Sequence, residues 1–426
     1  MWFDVKDFGA VGDNSHDDAT AINAAITAAN NAGGGVVALP VGTYLIQSQI
    51  TLKSNVTLLG FGRFSAIAPK VGTSTDAISV PNAVVKVNLE GFMVDASLAS
   101  GGGSRDNIHI GPGADDVRCR RVWSKSAGRN GIFVDSTPVS IIDSASELNG
   151  AAGVGSGIWV TGTNSGAPTH IVDCYLYSNQ QDGVTCDTNA NETIIIGNEI
   201  ISNVGNGVTC QNSSKMTNVI GNAFGGGVYG VFVNSTGSNF GTTIQGNSFS
   251  QVSQNAIFVN SQNQTTIVGN TIIDASNGNN GVYAAIRLNG AVLTTVQGNN
   301  IRSTTGTNTT YGVQDTGSSS GTVVADNSIN SMATGMYTLG AGTYVARGNR
   351  KGSGSQSGAV TLAAANPAAT ISTTEVLVGD RVLLSRLTAG GTLGHLSIGA
   401  TTAGTSFTIV ASGNLDTSTV YWELIH

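Results

Sequence analysis

The stretch Ile194-Ile195-Ile196-Gly197-Asn198-Glu199-Ile200-Ile201 decides the fold, because the chain keeps returning to it. A short β-branched run, then Gly-Asn or a near equivalent, recurs at Ile220-Gly221-Asn222, Gln245-Gly246-Asn247, Val268-Gly269-Asn270, Gln297-Gly298-Asn299 and Ala325-Asp326-Asn327. Successive asparagines stand 24, 25, 23, 29 and 28 residues apart, and Asp173 and Asp143 extend the series towards the N-terminus. A second marker keeps the same phase: Gly131-Ile132-Phe133-Val134, Gly157-Ile158-Trp159-Val160, Gly183-Val184-Thr185-Cys186, Gly207-Val208-Thr209-Cys210, Gly230-Val231-Phe232-Val233 and Ala256-Ile257-Phe258-Val259. Two markers sharing a period of about 25 residues describe a right-handed parallel β-helix, one coil of short strands per repeat. A leucine-rich repeat needs a Leu scaffold, which is absent, and a propeller blade needs about 40 residues.

The expected fold class is therefore all-β: a right-handed, single-stranded parallel β-helix with an N-terminal capping α-helix and a small C-terminal antiparallel β-domain. Inward Ile, Val and Phe of each coil pack on the coils about 4.8 Å above and below. Stacked asparagines form a side-chain amide ladder, and glycine supplies corners with positive φ. Such stacking disfavours charge, since like charges repeated up one face repel. The composition agrees: of 426 residues 58 are Gly and 39 Asn, 40% are hydrophobic, and only 11% are charged.

A net charge of −7 with 19 scattered Lys and Arg argues against a surface that tracks nucleic-acid phosphates. No window approaches 18 apolar residues, so membrane insertion is not expected, and Met1-Trp2-Phe3-Asp4 lacks a signal-peptide layout. Cys119, Cys174, Cys186 and Cys210 lack metal-ligand spacing and read as free, buried thiols. Residues 1–49 form the N-terminal cap and first coil. Their helix, about 17–32, is capped by Asp17 or Asp18 and buries Ile22, Ala25, Ile26 and Ala29. Residues 50–350 give about 11–12 coils, 351–370 a linker or irregular last coil, and 371–426 a β-sandwich serving as cap or trimerisation domain.

The opening Asp7-Phe8-Gly9-Ala10-Val11-Gly12-Asp13, with Asp17-Asp18, Gly33-Gly34-Gly35-Val36-Val37, Leu39-Pro40 and Gly42-Thr43-Tyr44, resembles the start of the pectate-lyase-like superfamily. Gly379-Asp380-Arg381-Val382 through Trp422 is similar to the small β-domain closing many phage tail spikes and tail fibres. Together they imply a bacteriophage tail spike: a homotrimer on the virion tail, acting on a bacterial capsule or lipopolysaccharide and needing no cofactor or metal. For a bacterial protein they imply a secreted or cell-surface location instead. The Gly-His-Gly and Arg-Ile-Lys motifs of polygalacturonases and the Asp-Pro-His of alginate epimerases are absent.

In the second series Asp135 and Asp187 share a column with one coil between them, about 10 Å apart, Asp182 flanks the same strand, and Glu147 lies on the intervening coil. Two carboxyl groups at glycosidase separations support hydrolysis, so Asp135, Asp182, Asp187 and Glu147 are the catalytic candidates. Trp159, Tyr175 and Tyr177 are candidates for stacking on sugar rings, although Trp159 shares its position with Phe133, Phe232 and Phe258 and is core if they face inward. Arg105, Asp106 and His109, in the densest charged stretch (105–121), are further substrate-binding candidates. Against each stands a structural role, since Asp at a coil corner commonly closes an Asx turn. The leading expectation is a depolymerase cutting a surface polysaccharide by glycosidic hydrolysis. The alternatives are a non-catalytic glycan-binding or structural β-helix, and a bacterial polysaccharide lyase or epimerase.

Overall fold

A computed structural model describes every residue of the chain except 137, 151–153, 163–167, 235–240, 318, 340–343, 352–355, 374–375, 377–379 and 426. It is a parallel β-helix of three long sheets. The first runs from Trp2–Asp4 to Tyr344–Arg347, the second from Asp13–Asp17 to Arg350–Lys351, and the third from Ile50–Thr51 to Gly335–Thr338. Among the described residues they hold 14, 15 and 12 strands. Each strand pairs in parallel with its counterpart one coil on, so Ile132, Ile158, Val184 and Val208 stack in one inward column, none more than 1% exposed.

The two glycine series serve different ends. In the Gly-Asn series, Gly197, Gly221, Gly246, Gly269 and Gly298 sit at φ 64–70° and turn the chain from the first sheet to the second. Asp143, Asp173 and Asp326 take this glycine's place, at φ 49–56°, rather than the asparagine's. In the other series the backbone is ordinary and space is the constraint. A Cβ on Gly157, Gly183, Gly207 or Gly230 would lie 2.5–2.7 Å from the carbonyl oxygen of the next coil.

The ladder asparagines Asn198, Asn222, Asn247, Asn270, Asn299, Asn327 and Asn349 are at most 1% exposed. Each of the first six donates from Nδ2 to Oδ1 of the next at 2.8–3.0 Å, while that Oδ1 also accepts the backbone N–H of the asparagine before it. Nδ2 also donates to a carbonyl of the preceding coil, as from Asn222 to Ile195 at 2.9 Å. The amides are thus satisfied in a core that admits no water-facing alternative.

The helix is Ala19–Asn31, with Ile22, Ala25, Ile26 and Ala29 fully buried over the first coils. The N-cap position falls on Asp18, one of the two residues expected, but its side chain makes no capping bond. Asp18 accepts from the N–H groups of Val11 and Gly12 at 2.6 and 3.0 Å, and Asp17 reaches the N–H of Ala19 at 3.2 Å. At the other end, Ser357–Thr361 and Ala368–Ser372 are strands, not a linker. They pair antiparallel with Thr419–Ile425 and Ser406–Ala411, giving two three-stranded sheets around Phe407, Ile409, Val420 and Trp422. The partner of Thr419–Ile425 on its other side is the strand Arg381–Thr388. The four cysteines are free and buried, and among the described residues no helix is long and apolar enough to cross a membrane.

Replacing Asn222 by Ala removes the acceptor of the Asn198 backbone N–H and the side-chain donor to the Ile195 carbonyl, and takes one of two bonds from Asn198 Nδ2 and from Asn247 Oδ1. With roughly 1–3 kcal/mol per unsatisfied group and partial relaxation, we expect a loss of about 3–5 kcal/mol in denaturant unfolding. Thr243→Ala, on the outward side of the first sheet, should change stability by under about 0.5 kcal/mol.

Candidate functional site

The outward side of the third sheet presents one side chain per coil in strict register: His109, Phe133, Trp159, Thr185, Thr209, Phe232, Phe258 and Arg287. The aromatic members therefore face out, and Trp159 is not core. Asp135, Thr161 and Asp187 continue their strands one outward position further on. A cleft of about 440 Å³ opens here, lined by Arg129, Phe133, Trp159, Thr161, Gln181 and Asp187.

The turn leading into this sheet holds an interlocked set of charges. Asp76, Asp106, Asn130, Ser156, Asp182 and Asn206 each stand two residues before the strand's first inward residue. Asp76, Asp106, Asn130 and Asp182 each accept a backbone N–H from the next coil, at 2.8–3.2 Å. Arg105 also grips Asp76 with two bonds, Nε to Oδ1 at 2.8 Å and Nη2 to Oδ2 at 2.7 Å. One coil on, Arg129 grips the fully buried Asp106 through Nε and Nη2, and its guanidinium lies 4.9 Å from the centroid of Phe133. Neither bond uses Nη1. The pairing with Asp106 raises the Arg129 pKa further, so its charge is permanent.

His109 is fixed by the same lattice. Its Nδ1 is 2.8 Å from Asp76 Oδ2 and its ring packs on Phe133 at 4.8 Å between centroids. Nε2 is enclosed and has no hydrogen-bond partner among the described residues. Burial would raise the Asp76 carboxyl, but hydrogen bonds from His109 and Arg105 outweigh it and hold its pKa at about 2. Asp135, on the adjacent coil, is raised by burial despite the opposing field of His109.

Not all sequence candidates meet. Arg105, His109, Asp135, Trp159 and Asp187 gather at the third sheet, whereas Asp106 is fully buried in the turn column, where its oxygens accept from Arg129 and the Asn130 N–H and cannot meet a substrate. Asp182 belongs to the turn column: it is 3% exposed, accepts from Thr185 Oγ1 at 2.9 Å and the Asn206 N–H at 2.8 Å, and is raised by burial. Its oxygens are committed to the coil, which puts it out of reach of a polymer. Glu147, Tyr175 and Tyr177 lie on the second sheet, a different wall, with Glu147 in register between Lys125 and Tyr177. The rest of the charged stretch, Asp115–Arg120, is a first-sheet strand, where Arg118 pairs with Asp116 at 3.0 Å on the surface. Sequence reading missed Asp76 and Arg129. Both could have been found by starting each repeat three residues earlier, where Arg129 falls in step with Arg105.

A profile described as "Rhamnogalacturonase A/epimerase, pectate lyase-like" matches residues 2–219, half of the chain. The chain belongs to this pectate-lyase-like family. Beyond that match, residues 210–350 fit the periplasmic copper-binding protein NosD, and 354–425 fit the C-terminal domain of K1 capsule-specific polysaccharide lyase. No group of three or more metal-ligating side chains occurs among the described residues. The mannuronan C5-epimerase AlgE3 of Azotobacter vinelandii is 31% identical over 222 residues, 46% of this chain and 12% of its own length. Alginate lyase 7 of the same organism is 48% identical over 69 residues, 15% of this chain and 8% of its own. This chain thus spans a small part of those curated relatives. The solved A-module of mannuronan C-5 epimerase AlgE6, also from A. vinelandii, superimposes with a TM-score of 0.67 at 23% identity, covering 82% of this chain and 99% of that one.

These findings correct the expected function. The sequence relatives of this pectate-lyase-like chain include mannuronan epimerases and an alginate lyase, which overturns the reading as a tail spike acting by glycosidic hydrolysis. They also include the plasmin and fibronectin-binding protein A of Streptococcus pneumoniae, 35% identical over 114 residues, 26% of this chain and 15% of its own. A solved phage tail spike shares the fold at 12% identity, which speaks for the fold alone. The virion location and the homotrimer rested on the same resemblance and lose their support with it.

A carboxyl whose pKa is lowered on folding adds stability above its unfolded pKa and loses it as pH falls through the folded value. Asp76, displaced from 3.8 to about 2, should therefore stabilise at neutral pH and cease to do so by about pH 2. Unfolding of Asp76→Asn against the parent is expected to differ by about 2 kcal/mol at pH 7, the gap closing between about pH 4 and 2.

Proposed function

We propose that the third-sheet cleft binds a uronate-bearing bacterial polysaccharide and abstracts the proton on the carbon next to the sugar carboxylate, leading to epimerisation or β-elimination. The observation that carries this reading is the His109–Asp76 pair beside the anchored Arg129 guanidinium. The hydrogen to be removed is acidic only when its carboxylate is neutralised, and the uncommitted Nη1 of Arg129 is a donor for that purpose. Asp76 holds His109 by Nδ1, which leaves Nε2 as the ring nitrogen for the proton; it is enclosed beside the cleft in the free chain, so a local opening on binding has to expose it to the sugar. A buried ring nitrogen without a partner costs about 1–3 kcal/mol, a loss that a bound sugar removes. Asp135, raised by burial, supplies an acid on the same face.

Two outcomes follow from the one carbanion. Return of a proton to the opposite face inverts the carbon. Expulsion of the oxygen at the neighbouring ring carbon breaks the glycosidic bond and leaves an unsaturated uronate. Phe133 and Trp159 supply apolar surface for sugar C–H faces. The matches to mannuronan epimerases, an alginate lyase and a capsule-lyase domain support this chemistry.

Polymannuronate and an acidic capsule polysaccharide, incubated separately with the protein, test it by proton NMR for inverted residues and by ultraviolet absorbance for unsaturated ends. Activity on at least one is expected, falling by about 10²–10⁴ in His109→Gln and in Arg129→Gln. New reducing ends without inversion or unsaturation would refute the reading.

A further inference from the structure

The second sheet has an opening of its own. One outward column there runs Met93, Trp123, Ala145, Tyr175 and Glu199 through successive coils. Trp123 and Tyr175 stand two coils apart, about 9.6 Å, with only the methyl group of Ala145 between them. Outward rings on adjacent coils can stack here, as Phe232 and Phe258 do at 5.2 Å with planes 26° from parallel. The Trp123–Ala145–Tyr175 column leaves a gap one coil deep between its two aromatic residues. The gap is a cavity of about 330 Å³, at the small end of ligand pockets.

Its surroundings are those of a sugar site. Arg63 lies 5.0 Å from the centroid of Trp123, and Tyr177 stacks on Tyr175 at 5.6 Å and 13°. Asp143, Asp173 and Glu199 line the edge. Asp143 and Asp173 occupy the left-handed turn position that is glycine in most coils, and they do so in the two coils carrying Ala145 and Tyr175. Asp is among the few non-glycine residues that take this conformation, so the turn accepts a carboxylate at the edge of the opening.

We propose that this slot is a second glycan-binding site, separate from the cleft, taking a pyranose without a carboxylate. The sugar's C–H faces lie between Trp123 and Tyr175, and its hydroxyl or amino groups donate to Asp143, Asp173 and Glu199. Three carboxylates against one guanidinium repel a uronate, so this site selects the opposite class from the Arg129 cleft. A chain held here raises the effective concentration of its other segments along the β-helix.

The test is calorimetric titration of the full chain with four probes: maltohexaose, cellohexaose, a glucosamine hexamer and a mannuronate hexamer. At least one of the three carboxylate-free hexamers is expected to bind. Its affinity should fall at least about tenfold in Ala145→Phe, which fills the gap, and in Tyr175→Ala, while Arg129→Gln leaves it unchanged. Circular dichroism and thermal midpoints check that the variants fold. The proposal fails if no carboxylate-free hexamer binds at about 10 mM, if binding survives both slot variants, or if the mannuronate hexamer competes for the site. None of these readouts depends on turnover in the cleft, so the two proposals stand or fall separately.

Discussion

Everything in this molecule depends on strands pairing in parallel with their own counterparts one coil on, at a spacing that hardly varies. The buried Asn198–Asn349 ladder is the strongest enforcer of that register. Each amide must find its partner in the next coil or remain unsatisfied in an apolar interior, which a one-residue slip would impose at every step. Once register is fixed, residues about 25 apart become neighbours, and a column of side chains becomes a surface with a chemistry. Scarcity of charge is then a requirement, because any charged residue sits about 4.8 Å from its equivalents.

The charged groups that do occur obey this rule by pairing between coils. Arg105 reaches back to Asp76, and Arg129 reaches back to Asp106. Each carboxylate also takes a backbone N–H from the coil above, so the turn that feeds the third sheet is tied by ions as well as by amides. His109 is oriented by the same carboxylate that anchors Arg105. The cleft's polar groups are thus held by the lattice that closes the coils: His109 sits on its strand, and Asp76 and Arg129 sit in the turns tied to neighbouring coils. That arrangement favours a fixed geometry for reaction.

The fold was legible because two markers, Gly-Asn and Gly-Ile-Phe-Val, repeat with one period, and periodicity survives wide variation in the residues between. The column of Asp135 and Asp187 was legible for the same reason. Which way Phe133 and Trp159 point was not, since an alternating strand with apolar residues on both sides carries no parity signal. Asp76 and Arg129 escaped because Arg105 and Asp106 were read as a local charge cluster rather than as members of columns. Ser357–Thr361 was hidden by its small residues. It is a strand because Thr419–Ile425 offers it a partner, which local composition does not record.

The same geometry separates the four acids named from the sequence. Asp182 is consumed by its turn, and Glu147 lies on another wall. Asp135 and Asp187, with one coil between them, are about 9.6 Å apart by strand spacing, at the outer limit of the separations at which two carboxyl groups share a glycosidic bond. What the third sheet does bring within one coil is a carboxylate-bound imidazole, an aromatic ring and a guanidinium anchored at its back. These groups suit a reaction with one proton to remove and one anion to neutralise. In the second-sheet slot the balance reverses, with three carboxylates around aromatic rings and one guanidinium, that of Arg63. A β-helix can carry both because each wall repeats its own column, and substitutions in one column leave the others in register.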